Sequence, residues 1–153
     1  MLKIKEIPTN IGYYIAGFVD GEGSFMVVFR PREDYKNKWK ITPVFNVSQK
    51  DPTVLALMKR YLKCGVLRQR KDGVWYYEVN NINSIRENVI PFFNRFGFLS
   101  ATKKNDFSKF KKIVEILTSS KKLTKEQLKE ILKLRKKIKS KYTDEEILNS
   151  WEE

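Results

Sequence analysis

The sequence predicts an α+β fold with a four-stranded antiparallel sheet, on three observations. Hydrophobic spacing switches from helical to alternating twice, in the order helix, hairpin, helix, hairpin, helix. Turn-forming clusters separate the alternating segments in pairs, at Asp34 to Asn37 and at Lys71-Asp72-Gly73. The remainder carries helical spacing and two Thr-x-x-Gln/Glu capping boxes. A chain of 153 residues is one domain by length, with a core at about 9–120 and a Lys-rich helical extension at about 121–153.

The elements follow in order. Thr9 or Asn10 can cap a first helix running to Asp20, with Pro8 fixing the approach. Gly12, Ala16 and Asp20 recur at four-residue steps, and Gly17 and Gly21 repeat that step. An interior Gly costs a helix about 1 kcal/mol, so a small-residue seam predicts close approach of another helix. From Ser24 the period becomes two: Phe25, Val27 and Phe29 alternate with Ser24, Met26, Val28 and Arg30. Trp39, Ile41, Phe45 and Val47 alternate likewise with Lys38, Lys40, Thr42, Val44, Asn46 and Ser48. Pro43, lacking an N–H, belongs at an edge or bulge. Asp51-Pro52 opens a second helix that ends near Cys64-Gly65. Val66 to Arg70 and Val74 to Val79 form the second hairpin. Ser84 to Glu87 has capping-box spacing for a third helix, interrupted at Pro91 and ending at Gly97. Lys103 to Leu117 carries apolar Phe107, Phe110, Ile113, Val114 and Leu117, and Thr124 and Thr143 open two further helices.

Charge and absences narrow the function. A formal charge of +13, from 31 Lys and Arg against 18 Asp and Glu, predicts attraction to polyanions, nucleic acid foremost. No histidine is present, which excludes catalytic triads, histidine general bases and histidine–metal nuclease sites. One cysteine, Cys64, allows neither an intrachain disulfide nor a cysteine-rich zinc site. No apolar run reaches the roughly 18–20 residues of a membrane span, and the N-terminus lacks a signal-peptide core. The expected location is therefore intracellular: cytoplasmic in a prokaryote, or inside an organelle.

The most informative stretch runs from Ile15 to Phe25. An apolar helix rich in small residues ends in two carboxylates, Asp20 and Glu22, flanking Gly21. The negative end of a helix dipole opposes carboxylates by roughly 0.3–1 kcal/mol, a penalty that a bound divalent cation reverses. The string resembles the LAGLIDADG motif of homing endonucleases, matching it at Ala16, Gly17, Asp20 and Gly23. Glu22 stands for the final aspartate, and Gly23-Ser24-Phe25 is the exit commonly seen in that family. The motif occurs once.

That resemblance implies an αββαββα core and metal-dependent cleavage of both strands of a long DNA site by a homodimer. The motif helices of the two subunits would pack together, which assigns Gly12, Ala16, Gly17 and Asp20 to the dimer interface. Carried over by position, Glu22 is the metal-binding carboxylate and the Gly21 carbonyl a further ligand, while Asp20 stabilises the helix end. Gln49 corresponds to a residue that positions water, and Lys103 to the active-site lysine, with Lys104 as the alternative by one position. Thr53 occupies the place where the family can carry a basic residue. The implied cofactor is a divalent metal, Mg²⁺ on hard-ligand grounds. The implied enzyme is an intron-encoded site-specific endonuclease.

A ten-residue strand is roughly 33 Å long and spans on the order of ten base pairs, so a dimer would cover about twenty base pairs of duplex. The face offered to the major groove is Ser24, Met26, Val28, Arg30, Arg32, Lys38, Lys40, Thr42, Val44, Asn46 and Ser48. Arg68, Arg70, Tyr76 and Glu78 join it from the second hairpin. Two alternatives share the fold: a maturase that binds its own intron RNA during splicing, and a catalytically silent DNA-binding regulator.

Overall fold

In the computed structural model, which describes residues 2–119, 121–135 and 140–152, the predicted α+β architecture is present. A 3-10 turn at Ile4–Glu6 leads into α1 (Thr9–Glu22), then β1 (Gly23–Pro31), β2 (Trp39–Gln49) and α2 (Thr53–Leu62). The second hairpin is β3 (Val66–Gln69) with β4 (Trp75–Val79). A helical turn α3 (Ile82–Ser84), a π-helical segment Ile85–Val89 and α4 (Ile90–Arg95) then precede α5 (Ala101–Ser119), α6 (Lys125–Leu134) and α7 (Asp144–Ser150). The Lys-rich stretch at 136–139 lies outside the described residues.

The four strands form one antiparallel sheet in the order β1-β2-β4-β3. Phe25, Phe45, Val47, Tyr77 and Val79 turn to one face and are buried under α1, α2 and α5, where Phe25 packs against Phe45, Phe93, Phe98, Phe107 and Phe110. The helices leave the other face open. β4 reaches only to Phe45, so β2 has a partner strand on one side alone at Pro43, where a missing N–H is tolerated. A second apolar cluster joins Phe29 and Trp39 to Ile113, Leu128, Ile131, Leu132, Ile147 and Trp151. The C-terminal helices thus pack against the far end of the first hairpin. Both of their capping boxes form, Thr124 with Gln127 and Thr143 with Glu146.

Local departures from expectation have local causes. α1 begins at Thr9 and includes Glu22, with Pro8 at its N-cap and no side-chain cap. The Ser84 capping box does not form. Asn81 caps instead, accepting from the Ser84 N–H at 3.1 Å, and the helix starts earlier. The π segment contains Glu87, whose carbonyl the ring of Pro91 would crowd in an α-helix, so the wider turn accommodates the proline. α2 ends at Leu62, two residues before Cys64, with Lys63 and Gly65 both at positive φ.

The small-residue seam requires correction. Gly12 and Ala16 face the chain's own interior: a Cβ on Gly12 would lie 2.3 Å from the Phe96 ring, and Ala16 is 1% exposed. They let α1 sink onto this chain's core and offer nothing to a partner. Asp20 is likewise occupied within the chain. The outward stripe of α1 is Asn10, Tyr14, Gly17 and Gly21, and Cβ atoms on both glycines would meet open space.

Candidate functional site

Three elements bring the motif carboxylates, Gln49 and Lys103 to one end of the sheet. α1 runs directly into β1, so Gly21 and Glu22 stand at the junction of helix and strand. Gly23 pairs with Val47, which places Gln49 beside that junction two residues further along β2. α5 arrives from below, and Lys103 in its first turn donates from Nζ to the Gly23 carbonyl. Lys103 is buried at 7% exposure, so it is no ordinary surface lysine. Lys104 points away, into a shallow groove with Asn94, Gly97 and Lys111.

The two carboxylates have different environments. Asp20 accepts from the N–H groups of Leu99 and Ser100, each at 3.1 Å, and from the Ser100 hydroxyl at 2.5 Å. The Ser100 hydroxyl in turn accepts from the Lys103 N–H at 3.1 Å, which makes Ser100 the side-chain cap of α5. Asp20 therefore opposes the dipole of α1 but complements the N-terminal end of α5, where negative charge is favoured. The Ser100 hydrogen bond, aided by the two N–H groups and the nearby Lys103 charge, outweighs desolvation and holds the Asp20 carboxyl below its usual range. Glu22 is exposed and makes no side-chain hydrogen bond or ion pair among the described residues. One carboxylate ties two helices together; the other is left available.

Ser100 was not singled out from the sequence, although a serine three residues before Lys103 is an N-cap signal. A consequence can be measured. A carboxyl depressed in the folded state stabilises above its ordinary value of about 3.9, and that contribution is lost as pH falls through the lower folded value. Asp20→Asn should cost about 1 kcal/mol at pH 7, as loss of a cap does. In urea titrations at a series of pH values, the gap to the parent should close below about pH 4. An equal gap at pH 3 and pH 7 would show that the carboxylate charge is not what holds α5.

The donors available for a cation are the Glu22 carboxylate and the Gly21 carbonyl, both hard oxygens that suit Mg²⁺. No group of three or more His, Cys, Asp or Glu residues that could hold a metal occurs among the described residues. One chain thus supplies part of a coordination sphere, compatible with an ion that keeps water and phosphate oxygens as its other ligands.

The open face of the sheet carries ordered cross-strand rows. Ser24, Asn46, Glu78 and Val66 form one row, Ser48, Tyr76 and Arg68 the next, and Met26 with Val44, Val28 with Thr42 and Arg30 with Lys40 continue toward the hairpin tip. A concavity of about 390 Å³ lies along these last rows, lined among others by Met26, Val28, Arg30, Lys40, Thr42, Val44 and Glu78. Three expected residues depart from that face. Arg32 and Lys38 lie beyond the strand ends, Arg32 clamped by Asp34 through bonds of 2.8 and 2.9 Å and stacked on Tyr35. Arg70 also lies past β3 and pairs with Asp72 at 3.4 Å. Val44 is on the face but only 6% exposed. Val66, exposed at 38%, completes the first row and was not among the expected residues.

The family model for LAGLIDADG endonucleases matches residues 15–114, from within α1 to within α5. The chain belongs to this family. Homing endonuclease I-ApeII of Aeropyrum pernix is 31% identical over 71% of this chain and 65% of its own length. Probable intron-encoded endonuclease 2 of Neurospora crassa is 32% identical over 80% of this chain and 28% of its own length. The chain therefore spans less than two thirds of either curated relative. The solved structure of the archaeal intron-encoded homing endonuclease I-Vdi141I complexed with DNA superposes with a TM-score of 0.79, at 27% identity, over 92% of this chain and 93% of that one. The LAGLIDADG helix is α1. α6 and α7 lie beyond the matched segment and pack on Phe29, Trp39 and Ile113 within it.

Proposed function

We propose that this protein is a site-specific DNA endonuclease that cleaves both strands of a long duplex target by metal-dependent phosphodiester hydrolysis. The observation that carries this reading is the division of labour at the end of α1. Asp20 is bound into the fold, whereas Glu22 remains exposed beside the Gly21 carbonyl, at the end of a sheet whose open face carries Arg30, Lys40 and Arg68. The Glu22 carboxylate and Gly21 carbonyl would hold a divalent cation, for which Mg²⁺ is the match to hard oxygen donors. When bound, that ion supplies charge stabilisation for the phosphodiester and lowers the pKa of water. Gln49 orients water at the junction, and attack on phosphorus expels the 3′ oxygen. Lys103 clamps the Gly23 carbonyl and so fixes the backbone that carries Glu22, while its charge offsets negative charge developing above it.

Cleaving two strands calls for two such ends, and the chain carries one motif, so the working form is a homodimer. The stripe Asn10, Tyr14, Gly17 and Gly21 of α1 is the face that supports this pairing, since its glycines permit close helix approach. Gly17→Leu should leave the isolated fold intact, its new side chain entering open space. It should weaken the dimer by about 1–3 kcal/mol through overpacking. Sedimentation across a concentration series reads this directly, and an unchanged dimer constant would place the interface elsewhere. An intracellular location follows from a DNA target.

The activity is tested on a plasmid carrying the joined sequences that flank the gene's own intervening element. Double-strand cutting with Mg²⁺ and none in chelator is the expected result. Undiminished cutting in chelator would overturn the metal mechanism. Tight binding of this duplex without cutting would transfer the protein to the regulator reading, and preferential binding of the intervening RNA to the maturase reading.

A further inference from the structure

The open sheet face carries a hydrogen-bonded side-chain network whose chemistry is directional. Asn46, on β2, donates from Nδ2 to Glu78 Oε1 at 3.1 Å across the strand pair. Ser48 Oγ donates to Asn46 Oδ1 at 3.3 Å from two residues along the same strand. Asn80 Nδ2 reaches the other Glu78 oxygen at 3.3 Å. A carboxylate can only accept, so the Asn46 atom facing Glu78 must be the nitrogen, and the amide cannot turn over without opposing its oxygen to the carboxylate. An ordinary surface asparagine has no such restriction.

Geometry then settles which part of the amide is left for a ligand. Each Asn amide has two N–H bonds and two oxygen lone pairs. Glu78 takes one N–H and Ser48 fills one lone pair, both through groups on the sheet itself. One N–H and one oxygen lone pair remain, a donor and an acceptor on the same planar amide. In the major groove adenine presents the matching pair, an N7 acceptor and an N6 donor, whereas guanine presents two acceptors. Resting on the DNA-cleaving reading above, we infer that Asn46 reads an adenine through a bidentate pair whose polarity Glu78 and Ser48 fix. Asn46 lies three residues from Gln49, roughly 10 Å along the strand at about 3.3 Å per residue. The adenine therefore falls about three base pairs from the cut, at about 3.4 Å per pair. Glu78 is a positioning residue in this arrangement and not itself the reader.

The test is a binding titration in chelator, with the joined flanking duplex as probe and each base pair two to four steps from the cut replaced in turn. An A·T pair in this window should be preferred over G·C by about 5- to 150-fold, the range of one good bidentate contact. Substituting 7-deazaadenine, which lacks the N7 acceptor, should lose part of that preference. With Asn46→Ala all these substitutions should fall within about twofold of one another. Glu78→Gln keeps the size of the side chain but lets the amide turn over, so the A/G ratio should shrink several-fold while thermal melting is unchanged. A preference for C·G in this window that survives Asn46→Ala but vanishes in Glu78→Gln would overturn the inference by making Glu78 the reader. A duplex bound and cut with no adenine dependence would overturn it while leaving the proposed function standing. A duplex neither bound nor cut would remove both.

Discussion

Glu22→Gln is expected to abolish cleavage of the joined flanking site while leaving DNA binding within about twofold of the parent. The substitution keeps the length of the side chain and its capacity to accept a hydrogen bond, but removes the negative charge. Glu22 makes no side-chain bond or ion pair among the described residues, so its loss should not disturb the α1–β1 junction, which Asp20, Ser100 and Lys103 hold. A loss of about 10³-fold or more in single-turnover rate corresponds to about 4 kcal/mol or more of transition-state stabilisation. Binding measured in chelator should be preserved, because Arg30 and Lys40 lie toward the hairpin tip, at the other end of the strands from Glu22. Full activity in the Gln variant would remove Glu22 from the chemistry. Joint loss of binding and cleavage would mean that Glu22 serves the fold.

The largest effect on stability is expected at Gly12. Replacing a helical glycine by alanine ordinarily stabilises a helix by about 1 kcal/mol. At Gly12 the new Cβ would meet three atoms of the Phe96 ring at 2.3 to 2.5 Å. Phe96 is 1% exposed, packs on Phe92 with ring centroids 5.1 Å apart, and is crossed edge-on by Tyr13 at 5.2 Å. The ring has no free volume to enter, so the net result should be destabilisation by about 3 kcal/mol, the upper part of the usual overpacking range. For a chain of this length that is a fall of about 6–12 °C in Tm. Gly17→Ala, five residues along the same helix, meets nothing within 4 Å and should raise monomer stability. Opposite signs at two glycines of one motif helix separate packing within the chain from packing between chains. Equal effects would mean that Phe96 yields more easily than its surroundings suggest.

These two positions also mark where sequence reasoning reached its limit. A seam of small residues on a helix announces close approach but does not say what approaches. Gly12 and Ala16 serve the chain's own core, and the opposite stripe, with Gly17 and Gly21, is open. Arg32 and Arg70 are a similar case. Alternation continued on paper past the strand ends, whereas nearby aspartates at the turns, Asp34 and Asp72, bend both arginines into local ion pairs. Among the described lysines Lys103 is set apart by its burial and its bond to the Gly23 carbonyl, neither of which composition or spacing reveals.

What the sequence determined by itself was the order of elements, the face of each strand and the presence of an acidic motif at a helix end. All are local consequences of period, turn chemistry and capping, legible within a window of a few residues. Tertiary structure alone supplied the physical basis for the division of roles between Asp20 and Glu22 that the family resemblance implies. It supplied Asp20 with the N-terminus of α5, some eighty residues away in the chain, and left Glu22 without a side-chain partner among the described residues. The physical reason is that a hydrogen bond satisfies a carboxylate only where the fold delivers a donor, and delivery over that separation depends on how α5 packs under the sheet.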